Sequence, residues 1–158
     1  MSRGEPTTAQ IEVWQAYLRS HVRLIARLDD ELQAAHSLPL EWYDVLVQLD
    51  DVGGRSSMGD LAKSLLISPS NCTRRVDRMV AAGLVLRHRD DSDRRVRIVE
   101  LTDSGDEQLR QASPGHLAGV QRYFTRYLTP RNRPVVADFL DRIESSLETT
   151  ERGLADPS

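Results

Sequence analysis

The chain has 158 residues, enough for one domain with a core of its own and too few for two independent ones. It is 39% hydrophobic and 28% charged with a formal net charge of −3, and its one cysteine excludes an internal disulfide, so the composition is that of a globular cytoplasmic protein. No apolar run approaches the roughly 18 residues of a membrane span, and the opening MSRGEPTTAQ lacks the apolar stretch of a secretion signal.

Residues 1–6 read as a short disordered tail. Thr7-Thr8-Ala9-Gln10 then fits a capping box, with Thr7 as the cap and Gln10 three residues on. The helix predicted over about 8–35 carries Ile11, Trp14, Leu18, Ile25, Leu28 and Leu32 at three- and four-residue steps. That stripe is longer than one small domain covers, which points to a partner chain. Ser37-Leu38-Pro39 breaks the helix. Pro39 opens a second one with Tyr43, Leu46 and Leu49 inside, and Asp50 to Gly54 form a turn. Ser57 caps a short third helix, with Asp60 at the capping-box position and Leu61, Ala62 and Leu65 inward. The small Ala62 allows the close crossing that a helix-turn-helix needs.

Ser68 is a good N-cap and Pro69 suits the first helical position, so a fourth helix starts there. Cys72, Val76 and Met79 share one narrow stripe at about 100° per residue. Arg74 and Arg78, flanked by Ser70 and Asn71, point the other way. An exposed face of arginine and small hydrogen-bonding residues suits a DNA major groove, where Arg bonds guanine edges and Asn bonds adenine. Gly83 ends the helix. From Leu84 to Arg89 the pattern has period two, RDDSDRR supplies a polar turn, and Val96, Ile98, Val99 and Leu101 return as a second strand. The result is a hairpin wing.

Thr102 caps a fifth helix that Pro114-Gly115 should kink or split. Leu117, Val120, Phe124 and Leu128 continue an apolar stripe beyond that break. Thr129-Pro130 reads as a fresh cap, Pro134 delays the regular helix, and Val136, Phe139, Leu140, Ile143 and Leu147 mark a last amphipathic helix. From Ser68 to Arg97, eight arginines face four aspartates, a net +4, so the rest of the chain carries −7. An acidic protein with one basic segment presents that segment to a polyanion.

The residues Ser57…Asp60-Leu61-Ala62…Leu65, Thr73-Arg74…Asp77-Arg78, Gly83-Leu84-Val85, DSDRR and Leu101-Thr102…Gly105 resemble the MarR family of dimeric winged helix-turn-helix regulators. The likeness runs from about Thr8 to Glu151, and the helix-to-wing segment is its specific part. It implies a mainly α fold with a small β-hairpin wing in a single domain, 1–158. The winged helix-turn-helix core would span about 38–102, and dimerisation helices about 8–35 and 103–151. The partners implied are double-stranded DNA with a pseudo-palindromic operator, a second copy of the chain and a small-molecule effector.

On this reading the DNA-binding residues are Ser68, Ser70, Asn71, Thr73, Arg74, Arg75 and Arg78 on the helix, with Asp93, Arg94, Arg95 and Arg97 on the wing. The resemblance implies that Arg95 enters a minor groove and that Asp93 steadies its guanidinium. Many relatives hold small phenolic or aromatic acids between the dimer helices and the winged core. The candidates here are Trp14, Tyr17 and His21 on the first helix, Tyr43 on the second and Arg87 on the strand entering the wing. Relatives that bind aromatic carboxylates often carry Arg beside the residue matching Trp14, where this chain has Gln15.

Other functions find less in the residues. Cys72 lies on the buried stripe of the fourth helix, so core packing is its first role and oxidation sensing the alternative; the peroxide-sensing branch of the family has its cysteine near the N-terminus instead. The four histidines show no metal-ligand spacing, and no nucleophile elbow, phosphate loop or carboxylate pair is present. The expectation is a regulator with neither cofactor nor catalysis, and most directly a repressor. The alternative from another class is a helical protein-interaction module that has lost DNA binding. Such a descendant has little reason to keep Arg74, Arg78, Arg94 and Arg95 together.

Overall fold

The computed structural model describes residues 4–154. Part of the expected N-terminal tail, residues 1–3, lies outside the described residues; residues 4–7 are exposed and irregular. Two compact units divide after Gly119.

In the first unit, α1 (Thr8–His36) begins at the predicted capping box. The Thr7 hydroxyl accepts the Gln10 N–H at 3.3 Å, and the Gln10 side chain accepts the Thr7 N–H at 2.8 Å. Ser37, in the left-handed region at φ 51°, stops it. The next helix, α2 (Leu40–Asp51), has a proline where a capping side chain would stand. Its first N–H goes instead to Asp29 Oδ1 of α1, 2.7 Å away, so one helix caps the other. The short α3 (Met58–Ser64) and the longer α4 (Pro69–Ala81) start at Ser57 and Ser68 as expected, and each cap serine accepts the N–H three residues on.

The sheet differs from the expected two-stranded wing. A three-residue strand, β1 (Arg55–Ser57), joins β2 (Val85–Arg89) and β3 (Arg97–Leu101) in the antiparallel order β1-β3-β2. Three residues are too few to show a period, so β1 is invisible to sequence pattern. β3 is the middle strand, and its alternation is broken because Ile98 and Val99 are buried on both of its faces. The register pairs Val85 with Leu101 and Arg89 with Arg97.

Leu46, Leu49, Leu61, Val76, Met79, Val85 and Val99 are fully buried and form the core under α4 and the sheet. The helix after the sheet, α5 (Asp103–Tyr123), starts on Thr102, whose hydroxyl donates to the Gly83 carbonyl (2.8 Å) and accepts the Gly105 N–H (3.0 Å). Gly105 is obligatory here, because a Cβ would lie 2.1 Å from the Leu84 carbonyl oxygen. Pro114 does not split α5, which runs through it. One intrahelical bond is lost, but Leu109 and Ala112 are buried just before it, and the Ser113 hydroxyl donates to the Leu109 carbonyl at 2.7 Å.

The second unit holds the end of α5, a 3-10 turn at Thr125–Tyr127 and α6 (Arg133–Leu154). Thr129 and Asn132 cap each other, side chain to backbone, and Pro134 falls in the first turn, where its missing N–H costs nothing. Val135, Phe139, Leu140, Ile143 and Leu147 of α6 are exposed, Phe139 by 52%. So are Ile11, Trp14, Leu18, Val22 and Ile25 of α1, Trp14 by 54%. Among the described residues no helix is long and apolar enough to cross a membrane.

Candidate nucleic-acid interface

α4 turns Cys72, Val76 and Met79 into the core with no exposed surface, which fixes what the opposite face presents. Ser70, Asn71, Thr73, Arg74 and Arg78 lie on that exposed face. The Arg74 guanidinium donates to the Asn71 side-chain carbonyl one turn earlier, which steadies it over the helix. Two of the small polar residues are engaged locally. The Ser68 hydroxyl is spent on its cap, and the Thr73 hydroxyl donates to the Pro69 carbonyl at 2.9 Å.

Arg75 departs from the expected set. Its side chain is 15% exposed and turns toward α2, where it donates to the Glu41 backbone carbonyl and pairs with the Glu41 carboxylate, both at 3.3 Å. Arg75 therefore ties α4 to α2 and is turned away from the exposed face that its neighbours occupy. Arg78, 61% exposed, pairs with the other oxygen of the same carboxylate at 3.0 Å. Glu41, Asn71, Arg74, Arg75, Asp77 and Arg78 together line a concavity of about 670 Å³.

The wing tip is built by Asp90. Its Oδ1 accepts the N–H groups of Ser92 (2.8 Å) and Asp93 (3.1 Å) and the Ser92 hydroxyl, while Oδ2 pairs with Arg55 of β1 at 3.2 Å. The Ser92 hydroxyl, then the two N–H groups, hold this carboxyl at about 2. Asp93 plays a different part from the one expected. Its carboxylate accepts the backbone N–H of Arg95 at 2.9 Å, and both residues lie in the turn before the returning strand. Contact with the guanidinium is replaced by contact with the backbone, because a two-residue spacing inside a turn matches an Asx-type bond. Arg94, Arg95 and Arg97 are exposed.

The expected effector residues separate. Trp14, Tyr17 and His21 form a ladder of stacked rings along α1, with centroids 6.0 and 6.1 Å apart. Tyr43 is buried against α5 instead: its hydroxyl donates to Ser113 Oγ at 3.2 Å, and its ring lies 4.4 Å from that of His116. Burial holds the His116 imidazole below its ordinary pKa. Arg87 pairs with Asp77 of α4 at 2.5 Å, bracing the wing against the recognition helix. Of the five, only His21 lines the crevice of about 760 Å³ between α1, α2 and the α3–α4 turn. The other walls of that crevice include Val22, Ile25, Leu40, Leu65 and Ile67, with Asp29, Glu41, Asp44 and Arg75 as its charged groups. Burial raises the Asp44 carboxyl, against the opposing pull of Arg75.

Cys72 fits its core role. Its thiol is fully buried, and burial pushes its pKa up more than Arg75 pulls it down, which disfavours the reactive thiolate. Among the described residues no cluster of metal-ligating side chains occurs. Glu41 and Arg55, which position the arginines and the wing, carry no local sequence signal. Their partners lie 34 to 37 residues away, beyond the reach of periodicity.

Comparison with known proteins agrees with this geometry. A family model described as the MarR family matches residues 36–96. The crystal structure of AbsC, a MarR family transcriptional regulator from Streptomyces coelicolor, is 31% identical with a TM-score of 0.87, covering 92% of this chain and 99% of that one. Sco3205, a MarR family transcriptional regulator from the same organism crystallised in complex with DNA, is 30% identical with a TM-score of 0.86, covering 90% and 94%. Among curated proteins, the HTH-type transcriptional repressor MdtR of Bacillus subtilis (strain 168) is 28% identical over 99 residues. The chain spans 63% of that relative's length, and the match covers 63% of this chain.

Proposed function

Because the chain belongs to the MarR family of transcriptional regulators, we propose that it is a homodimeric, sequence-specific DNA-binding repressor released by a small aromatic or phenolic ligand. The observation that carries the DNA reading is the exposed face of α4. Asn71, Arg74 and Arg78 project from a helix whose other side is locked in the core, and the arginines of the wing tip are exposed as well. A rigid helix with arginine on its free face offers bidentate contacts to guanine, and an exposed wing arginine suits a narrow minor groove. The backbone bond from Asp93 to Arg95 supports that role by fixing the turn rather than the side chain.

The dimer reading rests on the exposed apolar residues of α1 and of α6, which water-exposed helices do not otherwise carry in such number. Residues 1–158 then act as one module, with the helices of about 8–35 and 103–151 as its dimerisation elements. Repression is supported by the likeness to MdtR. The ligand reading rests on the crevice walled by His21, Val22, Ile25 and Leu65, which combines apolar surface with a few polar groups. A ligand there that prefers one spacing of the recognition helices by a few kcal/mol changes DNA occupancy greatly.

The test is quantitative binding of the native dimer to operator and to random DNA. Arg74→Ala is expected to lower the ratio of the two affinities as well as both values. Arg95→Ala is expected to weaken operator binding at least about tenfold while leaving the fold intact. Unchanged binding by both variants would refute the assignment of α4 and the wing.

A further inference from the structure

We propose that Glu41 is a built-in counter-ion that competes with DNA phosphate for Arg78 and so sets the affinity of the recognition helix. The inference rests on the reading of α4 as the DNA-contacting helix. Glu41 stands in the first turn of α2, and its two carboxylate oxygens are divided between two arginines of α4. One oxygen pairs with Arg75 at 3.3 Å and the other with Arg78 at 3.0 Å. The two arginines differ in what they can do next. Arg75 is largely buried and also donates to the Glu41 carbonyl, so it anchors the carboxylate where it is. Arg78 is the exposed member, free at its solvent side, and it shares its concavity with Asn71 and Arg74 of the groove face.

Arg78 in the free protein is therefore already paired with a carboxylate that Arg75 holds in place from behind. Before it can serve a phosphate fully it must give up, or share, the contact with Glu41. An exposed ion pair is weak, and exchange costs little, so Glu41 moderates binding without blocking it. The arrangement also reaches the crevice. Glu41 and Arg75 line both the concavity on the groove face and the crevice beside α1, so an occupant of the crevice that touches either one changes the hold on Arg78. Local sequence pattern does not show this, because Glu41 lies 37 residues from Arg78.

The opposite role is that Glu41 orients Arg78 for its DNA contact. The two roles predict opposite signs, which makes the test direct. Glu41→Gln keeps the shape of the side chain and removes its charge. Titrating the full-length variant against an operator fragment at several salt concentrations is expected to show binding about two- to fivefold tighter than the parent, the size of a surface ion pair. The log–log salt dependence is expected to steepen by up to about one unit per recognition helix, since Arg78 then releases a counterion. In an Arg78→Gln background the gain from Glu41→Gln is expected to shrink or vanish. Weaker or unchanged binding by Glu41→Gln would overturn the proposal, and so would a gain of equal size without Arg78. Arg74→Ala separates a failure of α4 as the DNA-contacting helix from a failure of the Glu41 counter-ion. If it leaves DNA binding unchanged, the reading of α4 has failed; if it weakens binding while Glu41→Gln does not tighten it, only the counter-ion has failed.

Discussion

The winged core and the outer helices use the same kinds of apolar residue to opposite ends. Between residues 38 and 102 the chain spends them internally: Leu38, Val45, Leu46, Leu49, Val76 and Met79 are buried, and what remains outside is mostly charged or polar. On α1 and on α6, Trp14, Val22, Phe139 and Leu147 are left in contact with water, although each helix is well capped and regular. A helix can thus be locally complete while its stabilising surface is still unpaired. In the core the apolar residues specify a fold; on the outer helices they are left exposed, the surface that the proposed dimer would cover.

Substitutions of both kinds sharpen that contrast. Leu46→Ala, which opens a cavity in the fully buried core, is expected to cost about 2–5 kcal/mol in denaturant unfolding. Trp14→Glu on the exposed face of α1 is expected to leave helical circular dichroism and core amide protection in place. It should instead weaken self-association at least about tenfold, 1.4 kcal/mol, in light scattering against concentration. A stable dimer in that variant would break the comparison.

A smaller effect runs the other way. Leu66, in the turn between α3 and α4, has φ 54° and is 86% exposed, a backbone state that suits glycine and a side chain that packs on nothing inside the core. Leu66→Gly is expected to raise stability by about 1 kcal/mol in the same denaturant measurement. The smallest effect belongs to the wing. A hydrogen bond with the Arg89 carbonyl, then one with Glu100, raises the His88 pKa, so the protonated ring favours the folded wing. That contribution is complete below the unfolded pKa of about 6.5 and is lost as pH rises through the higher folded value. The denaturation midpoint is expected to fall slightly above neutrality in the parent, relative to His88→Gln.

Legibility followed the range of the interaction. The caps at Thr7, Ser57, Ser68 and Thr102 and the inward face of α4 are decided within four residues, and each was readable. β1 escaped because three residues hold no period, and its partner Val99 is 43 residues from Ser56. By type and position Arg75 reads as a DNA contact and Arg87 as an effector contact. Both are spent on carboxylates, one of them from a different helix at long separation and the other from the neighbouring helix face. Pro114 carries a clear local signal for a break, and the packing of Leu109 and Ala112 overrides it. Tyr43 lies inward on α2, as its spacing predicts, but nothing in its own segment reveals that it meets His116 of α5.

Selection of bound fragments from random DNA, using the full-length protein, tests the account's main claim most directly. Two copies of α4 on one face of B-DNA must lie about one helical turn, roughly 34 Å, apart. Enrichment of inverted half-sites whose centres are about 10 base pairs apart is expected, with A·T-rich flanks where the wings reach. Recovery of no preferred sequence, or of a strongly preferred site without inverted symmetry, would contradict it.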